Sequence, residues 1–115
     1  MKLSNLEPQF VIHELKENLK IDVHVDSLSK ATRIFFLCPV CYIKNNGPIG
    51  THGIIVTFKD RNVPDELGSH NKEGQPTRWS VSGNNYDDLT LSPSIDISRD
   101  LPGEWHGFIT NGEVT

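Results

Sequence analysis

Cys38-Pro39-Val40-Cys41 is the segment with the plainest chemistry in this sequence. Two thiols so close together make no disulfide framework, so the pair reads as a metal half-site or a redox couple. Zinc takes four N or S donors at tetrahedral corners, and a C-x₂-C turn supplies two of them with the right bite. The other corners fall to histidines, which stand at 13, 24, 52, 70 and 106. His106, in Glu104-Trp105-His106-Gly107, and His52, across the Asn45-Asn46-Gly47-Pro48 turn from the cysteines, come first, with His24 third. The expected centre is therefore a structural zinc on Cys38, Cys41, His106 and His52. The alternative without chemistry is a pair of reduced, buried cysteines beside surface histidines. A redox role needs the first cysteine at a helix N-terminus, and Tyr42 to Pro48 is expected to sustain no more than a turn.

Hydrolytic chemistry has two routes. Ser94, in Leu91-Ser92-Pro93-Ser94-Ile95, could pair with His106 and an acid such as Asp96, although no G-x-S-x-G elbow surrounds it. The plain role for that hydroxyl is a bond to backbone beside Pro93. Alternatively, an open zinc on Cys38, Cys41 and His106 could use Glu104 as its base. A zinc deaminase is excluded, because its H-x-E precedes P-C-x-x-C and here the order is reversed. An enzyme requires Ser94 Oγ within ~3 Å of the His106 ring, or a three-ligand metal, in a cleft. A structural module requires a closed site or flat surfaces. Trp79 and Trp105 read as core aromatics whose indole N–H finds a carbonyl. Asp87-Asp88 reads as turn chemistry or a hard-cation site.

The elements that must position these residues are strands. Gln9 to Ile12 reads as a short strand followed by a turn at Lys16-Glu17-Asn18. Ile21 to Val25 alternates and is expected to be half-buried. Asp26 or Ser27 can cap one helical turn through Leu28 to Ala31. Arg33 to Cys38 is an apolar strand entering the cysteine turn. Gly53 to Phe58 has consecutive apolar residues and is expected to be covered on both faces. Residues 60–77 form a long polar loop, of the kind that is usually functional or disordered. Trp79 to Ser82, Leu89 to Ser92, Ser94 to Ile97, Trp105 to Ile109 and Glu113-Val114 complete the set, the last two joined by an Asn111-Gly112 hairpin turn. The expectation is an all-β single domain, 1–115, of six to eight short antiparallel strands with one short helical turn.

Composition narrows the partners. The chain has 115 residues and 12.9 kDa, room for one domain with a modest core. A net charge of −4 and a pI near 5.6 argue against nucleic acid and anionic membranes. The longest apolar run, Ile34 to Cys38, is far short of the ~20 residues of a membrane span. The opening residues do not lead into a signal-peptide core, so export by that route is not expected.

The order of motifs adds a resemblance. Phe35 to Cys41, Gly50-Thr51-His52-Gly53, Asn62-Val63-Pro64-Asp65 and Arg78 to Gly83 come first. Asp88 to Ile95 and Trp105-His106-Gly107-Phe108 with Asn111-Gly112-Glu113 follow. Over residues 26–115 the chain resembles the DUF6527 family of small phage and prophage proteins, often mislabelled ammonia monooxygenase; residues 1–25 fall outside it as an N-terminal strand extension. The resemblance implies a zinc site of three cysteines and a histidine, but Gly103 stands where relatives carry the third cysteine. It further implies a phage-encoded protein acting in the host cytoplasm or the virion, with virion components or its own copies as partners. Some relatives act as peptidases beside bacterial ubiquitin-like genes, and Ser94 and His106 lie in the matching motifs. The leading expectation is an accessory or virion-associated binding module working through the 60–77 loop. A hydrolase or peptidase centred on Ser94 and His106, or on an open zinc, is the alternative.

Overall fold

In a computed structural model, which describes residues 1–98 and 103–115, the chain forms two four-stranded antiparallel sheets facing one core. The first contains β1 (Gln9–Lys16), β2 (Leu19–His24), β3 (Arg33–Leu37) and β4 (Gly53–Thr57), in the order β2-β1-β3-β4. The second contains β5 (Ser80–Ser82), β6 (Thr90–Asp96), β7 (His106–Thr110) and β8 (Glu113–Val114), in sequential order. One helix, α1 (Pro39–Asn45), links β3 to β4. Short 3₁₀ turns lie at Leu3–Leu6 and Leu28–Lys30. The expected all-β class and strand count hold.

Local chemistry explains most of the boundaries. Glu17 and Asn18 both take positive φ, which matches the right-handed twist of a two-residue hairpin between β1 and β2. Asn111 and Gly112 do the same between β7 and β8. Ser27 occupies the N-cap position before the Leu28–Lys30 turn but makes no side-chain cap bond. The helix is longer than one turn. Pro39 presets its first φ, and Asn46 closes it in the left-handed region by donating to the Ile43 and Tyr42 carbonyls.

Two strands differ from expectation. β2 is exposed along its whole length, because it is an edge strand with no second layer over it. Its alternating residues therefore meet solvent on both faces. β4 is covered fully on one face and in part on the other: Ile54 and Val56 are buried, and on the second face Thr57 is buried while Ile55 is 41% exposed.

Core packing joins the two sheets. Ile34, Phe36, Ile54, Val56 and Phe58 from the first meet Leu89, Leu91, Ile95, Trp105 and Ile109 from the second. Phe36 and Trp105 make an edge-to-face pair with centroids 5.9 Å apart, and Phe10 stacks on Tyr86 at 4.4 Å. The N-terminal residues belong to this core. Leu3 and Leu6 are fully buried, and β1 is an internal strand. The 60–77 segment is held down: Arg78 donates to the carbonyls of Pro64, Leu67 and Thr77 at 2.8–3.0 Å. No helix among the described residues is long and apolar enough to cross a membrane.

Candidate functional site

Two clusters of reactive side chains stand on this frame. In the first, the β3–β4 ladder continues one step past the strand ends, where Cys38 N–H donates to the His52 carbonyl at 2.9 Å. That pairing sets His52 beside Cys38. The first turn of α1 then brings Cys41 over the same spot. The fourth member comes from the other sheet. Trp105 packs edge-on against Phe36, and its neighbour Glu104 turns its carboxylate onto the thiols.

The donor atoms of Cys38, Cys41, His52 and Glu104 all lie within 4.8 Å of one another. Cys41 Sγ is 3.2 Å from His52 Nδ1 and 3.2 Å from Glu104 Oε2, and Cys38 Sγ is 3.6 Å from that oxygen. Ligands around a tetrahedral zinc-type ion stand about 3.3–3.8 Å apart, so the group could hold a metal ion with little movement. Burial raises the Cys41 thiol to a pKa of about 11, helped by its bond to Glu104 and the proximity of Cys38. A dication inverts that preference, since a coordinating thiol is deprotonated outright. His52 Nε2 is shielded from solvent with no hydrogen-bond partner among the described residues. Ordinary hydrogen bonding therefore leaves this ring half-satisfied.

Of the residues expected to form this centre, the structure gathers Cys38, Cys41 and His52. It puts Glu104, not His106, at the fourth corner. Glu104 precedes β7 and is free of its alternation, whereas His106 is locked by the strand onto the face opposite Trp105. His24 lies on exposed β2, and His13 bonds Thr32. Glu104, 3.2–3.6 Å from both thiols, stands where it could be a fourth ligand or a base beside an ion held by Cys38, Cys41 and His52. Cys38 takes the N-cap position of the seven-residue helix α1, so the sequence ground against a redox couple, a segment too short for a helix, does not hold.

The second cluster lies on β6 and β7. Ser94 and Asp96 are two residues apart on one strand and so point to the same face. Asp96 is the register partner of His106. Their neighbours Ile97 and Trp105 exchange a ladder bond, so Asp96 and His106 form a non-hydrogen-bonded pair, in which side chains stand closest. His106 Nε2 is 3.3 Å from Ser94 Oγ, and His106 Nδ1 is 3.9 Å from Asp96 Oδ2. The other carboxylate oxygen of Asp96 accepts from the backbone N–H of Ser98 at 2.9 Å and from its hydroxyl, which orients the group. A bulge sets this register: Leu91 pairs with Ile109 and Ile95 with Gly107, so residues 92–94 stand opposite Phe108 alone. Leu91 and Ile95 both stay in the core, and Ser94 keeps the same outward face as Asp96.

A cleft of about 580 Å³ opens beside this cluster. It is walled by β4, by Pro93 to Asp96 of β6 with Ile97, and by Ser69 and Pro76 to Arg78, with Trp79 at one end donating its indole N–H to the Ser94 carbonyl. Ser94 and Asp96 line it. The Asp87-Asp88 pair serves the turn: Asp88 accepts the backbone N–H groups of Asn84 and Asn85, which hold its carboxyl below the usual range.

A family model described as the bacterial ubiquitination-like system serine protease (BubE) matches residues 60–115. That segment is just under half of the chain. It contains Ser94, Asp96, Glu104 and His106 but none of Cys38, Cys41 and His52. No curated protein and no solved structure matches the chain. Over residues 60–115, just under half of its length, the chain is thus similar to a serine protease family.

Proposed function

We propose that this protein is a serine hydrolase of the peptidase class, with Ser94 as nucleophile, His106 as general base and Asp96 as the acid that orients and stabilises the imidazolium. One observation bears most of the weight: a serine hydroxyl, an imidazole and a carboxylate in series at the rim of a cleft, with Ser94 Oγ 3.3 Å from His106 Nε2. The similarity to the serine protease family over residues 60–115 supports the same reading. So does the DUF6527 resemblance, for which peptidase activity on Ser94 and His106 is one implication.

The chemistry follows from the geometry. Ser94 Oγ attacks the acyl carbon while its proton passes to His106 Nε2. The imidazolium formed is stabilised by Asp96 across Nδ1. His106 then returns the proton to the departing amine, leaving an acyl-Ser94 ester. Water, deprotonated by the same nitrogen, attacks that ester, and the proton returns to Ser94 as the acid product leaves.

Cys38, Cys41, His52 and Glu104 would hold zinc, which supplies a cross-link between the two sheets. Four protein donors make a closed, structural type of site. Its position matters for catalysis because Glu104 is two residues from His106, so anchoring one fixes the start of the strand that carries the other.

The accessory-module reading places binding on the 60–77 loop, whose Pro64 and Leu67 carbonyls Arg78 holds while most of its residues stay at the surface. The test of the hydrolase reading is cleavage of fluorescein-labelled, unfolded casein. Wild-type protein is expected to cleave it, with Ser94→Ala and His106→Ala each at least 10³-fold slower. Equal rates in wild type and Ser94→Ala would overturn the assignment.

A further inference from the structure

The cleft beside Ser94 is the vacant part of a strand position. β4 is the edge of its sheet, and its pairing alternates strictly. Phe58 N–H bonds the Thr32 carbonyl, and the His52 carbonyl accepts from Cys38, so positions 52, 54, 56 and 58 turn toward β3. Gly53, Ile55 and Thr57 therefore present their backbone groups to the open side. At one end that side is taken: Trp79 N–H donates to the Thr57 carbonyl at 3.0 Å, and the Trp79 carbonyl accepts from Lys59 at 2.8 Å. The same segment continues as β5 and pairs with Ser92 to Thr90 of β6. The segment thus meets the first sheet only at the Phe58–Trp79 bridge before joining β6, and the preceding Pro76, Thr77 and Arg78 line the cleft without pairing with Gly53 or Ile55. Below that point nothing among the described residues takes up the backbone groups of Gly53 and Ile55, and the gap is the 580 Å³ cleft. Exposed β4 carries no lysine or proline to block such pairing, the usual protection of an open edge.

We infer that the cleft takes an extended polypeptide as an added strand, hydrogen-bonded to Gly53 and Ile55 of β4 and laid past Ser94. This rests on the hydrolase reading for its outcome and defines its substrate class: an unfolded or extended peptide segment, not a folded surface. The cleft volume falls in the ~300–1,000 Å³ range of ligand sites. Five residues of β4 at ~3.3 Å each match a peptide of four or five residues. Main-chain bonds of this kind give affinity without a fixed sequence, and alternate side chains meet Ile55, Trp79 and Ile97.

The test uses the full-length Ser94→Ala protein with unfolded casein as the probe, read by NMR-detected amide hydrogen exchange. The amides of Gly53 and Ile55 are expected to exchange rapidly in the free protein and at least tenfold more slowly with casein at saturation. Unchanged exchange at both amides overturns the strand model. A second variant, Ile55→Pro, removes the outward N–H while leaving the β3-facing bonds of Ile54 and Val56 in place, and proline is tolerated in that setting on an edge strand. With its fold checked by circular dichroism, it is expected to cleave casein at least tenfold more slowly than wild type; an unchanged rate counts against the model. Failure of the hydrolase reading is separately visible. In that case Ser94 in wild type takes no label from a fluorophosphonate, whereas slowed exchange at Gly53 and Ile55 would still mark an extended-chain binding site.

Discussion

Replacing Asp96 by Asn tests how the proposed triad works, because the structure sets the size of the effect. The His106 and Asp96 side chains are 54% and 40% exposed and stand 3.9 Å apart. At that distance two unit charges attract by about 4 kcal/mol at an effective dielectric of 20 and about 1 kcal/mol in bulk water. Exposure on both sides favours the lower half of that range, about 1–2 kcal/mol. Asp96→Asn is therefore expected to lower kcat/KM for casein cleavage roughly 5- to 30-fold, at 1.36 kcal/mol per factor of ten. A buried triad aspartate contributes about 10⁴-fold, so the two situations are well separated. Screening gives a second signature. Raising salt from 0.1 to 1 M shortens the Debye length from about 10 to 3 Å and should narrow the gap between wild type and Asp96→Asn. A loss of 10³-fold or more that ignores salt would refute the exposed-pair reasoning. No loss at all would remove Asp96 from the site.

Other consequences can be measured without a substrate. Zinc at about 1,000 times its Kd should add about 4 kcal/mol of stability and raise Tm by roughly 10–20 °C, and Cys41→Ser should abolish most of that rise, by differential scanning fluorimetry. An equal rise in Cys41→Ser would place the metal elsewhere. Because the Cys41 thiol is pushed up to about 11, it is protonated at neutral pH and its proton competes with the ion. Apparent zinc affinity, read against a chromophoric chelator, should climb about tenfold or more per pH unit between pH 6 and 8, and a flat profile would contradict the raised thiol. Arg78→Met strips the donors from three loop carbonyls and should cost about 1–3 kcal/mol in urea unfolding while speeding amide exchange at Leu67 and Thr77, with unchanged exchange counting against the clamp.

What was legible in the sequence was local. The Asn111-Gly112 turn, the polar turn before Leu19 and the strand running into Cys38 are written in neighbouring residues, and each stands where expected. Cys38 and Cys41 declare a half-site for the same reason. The fourth donor was not legible, because Glu104 reaches the thiols only through the packing of Trp105 on Phe36, a contact between sheets. His106 looked like the better ligand by residue type, yet its strand phase assigns it to Ser94 and Asp96. Ser94, Asp96 and His106 were legible as residue types that could pair, but not as a geometry. The meeting of Ser94 and Asp96 with His106 depends on a bulge opposite Phe108, which the Ser92-Pro93-Ser94 string signals only as an interruption in a strand. Exposure of β2 and of Ile55 on β4 depends on edge positions in the sheet, and strand order is not encoded in any single segment.

The most direct test of the central claim is covalent. A fluorophosphonate reacts with a serine whose hydroxyl is activated by a neighbouring base, and tryptic mass spectrometry then locates the adduct. The account predicts one adduct, on the peptide containing Ser94, lost in Ser94→Ala and strongly slowed in His106→Ala. Labelling elsewhere, or labelling at Ser94 that persists at the full rate without His106, would contradict it.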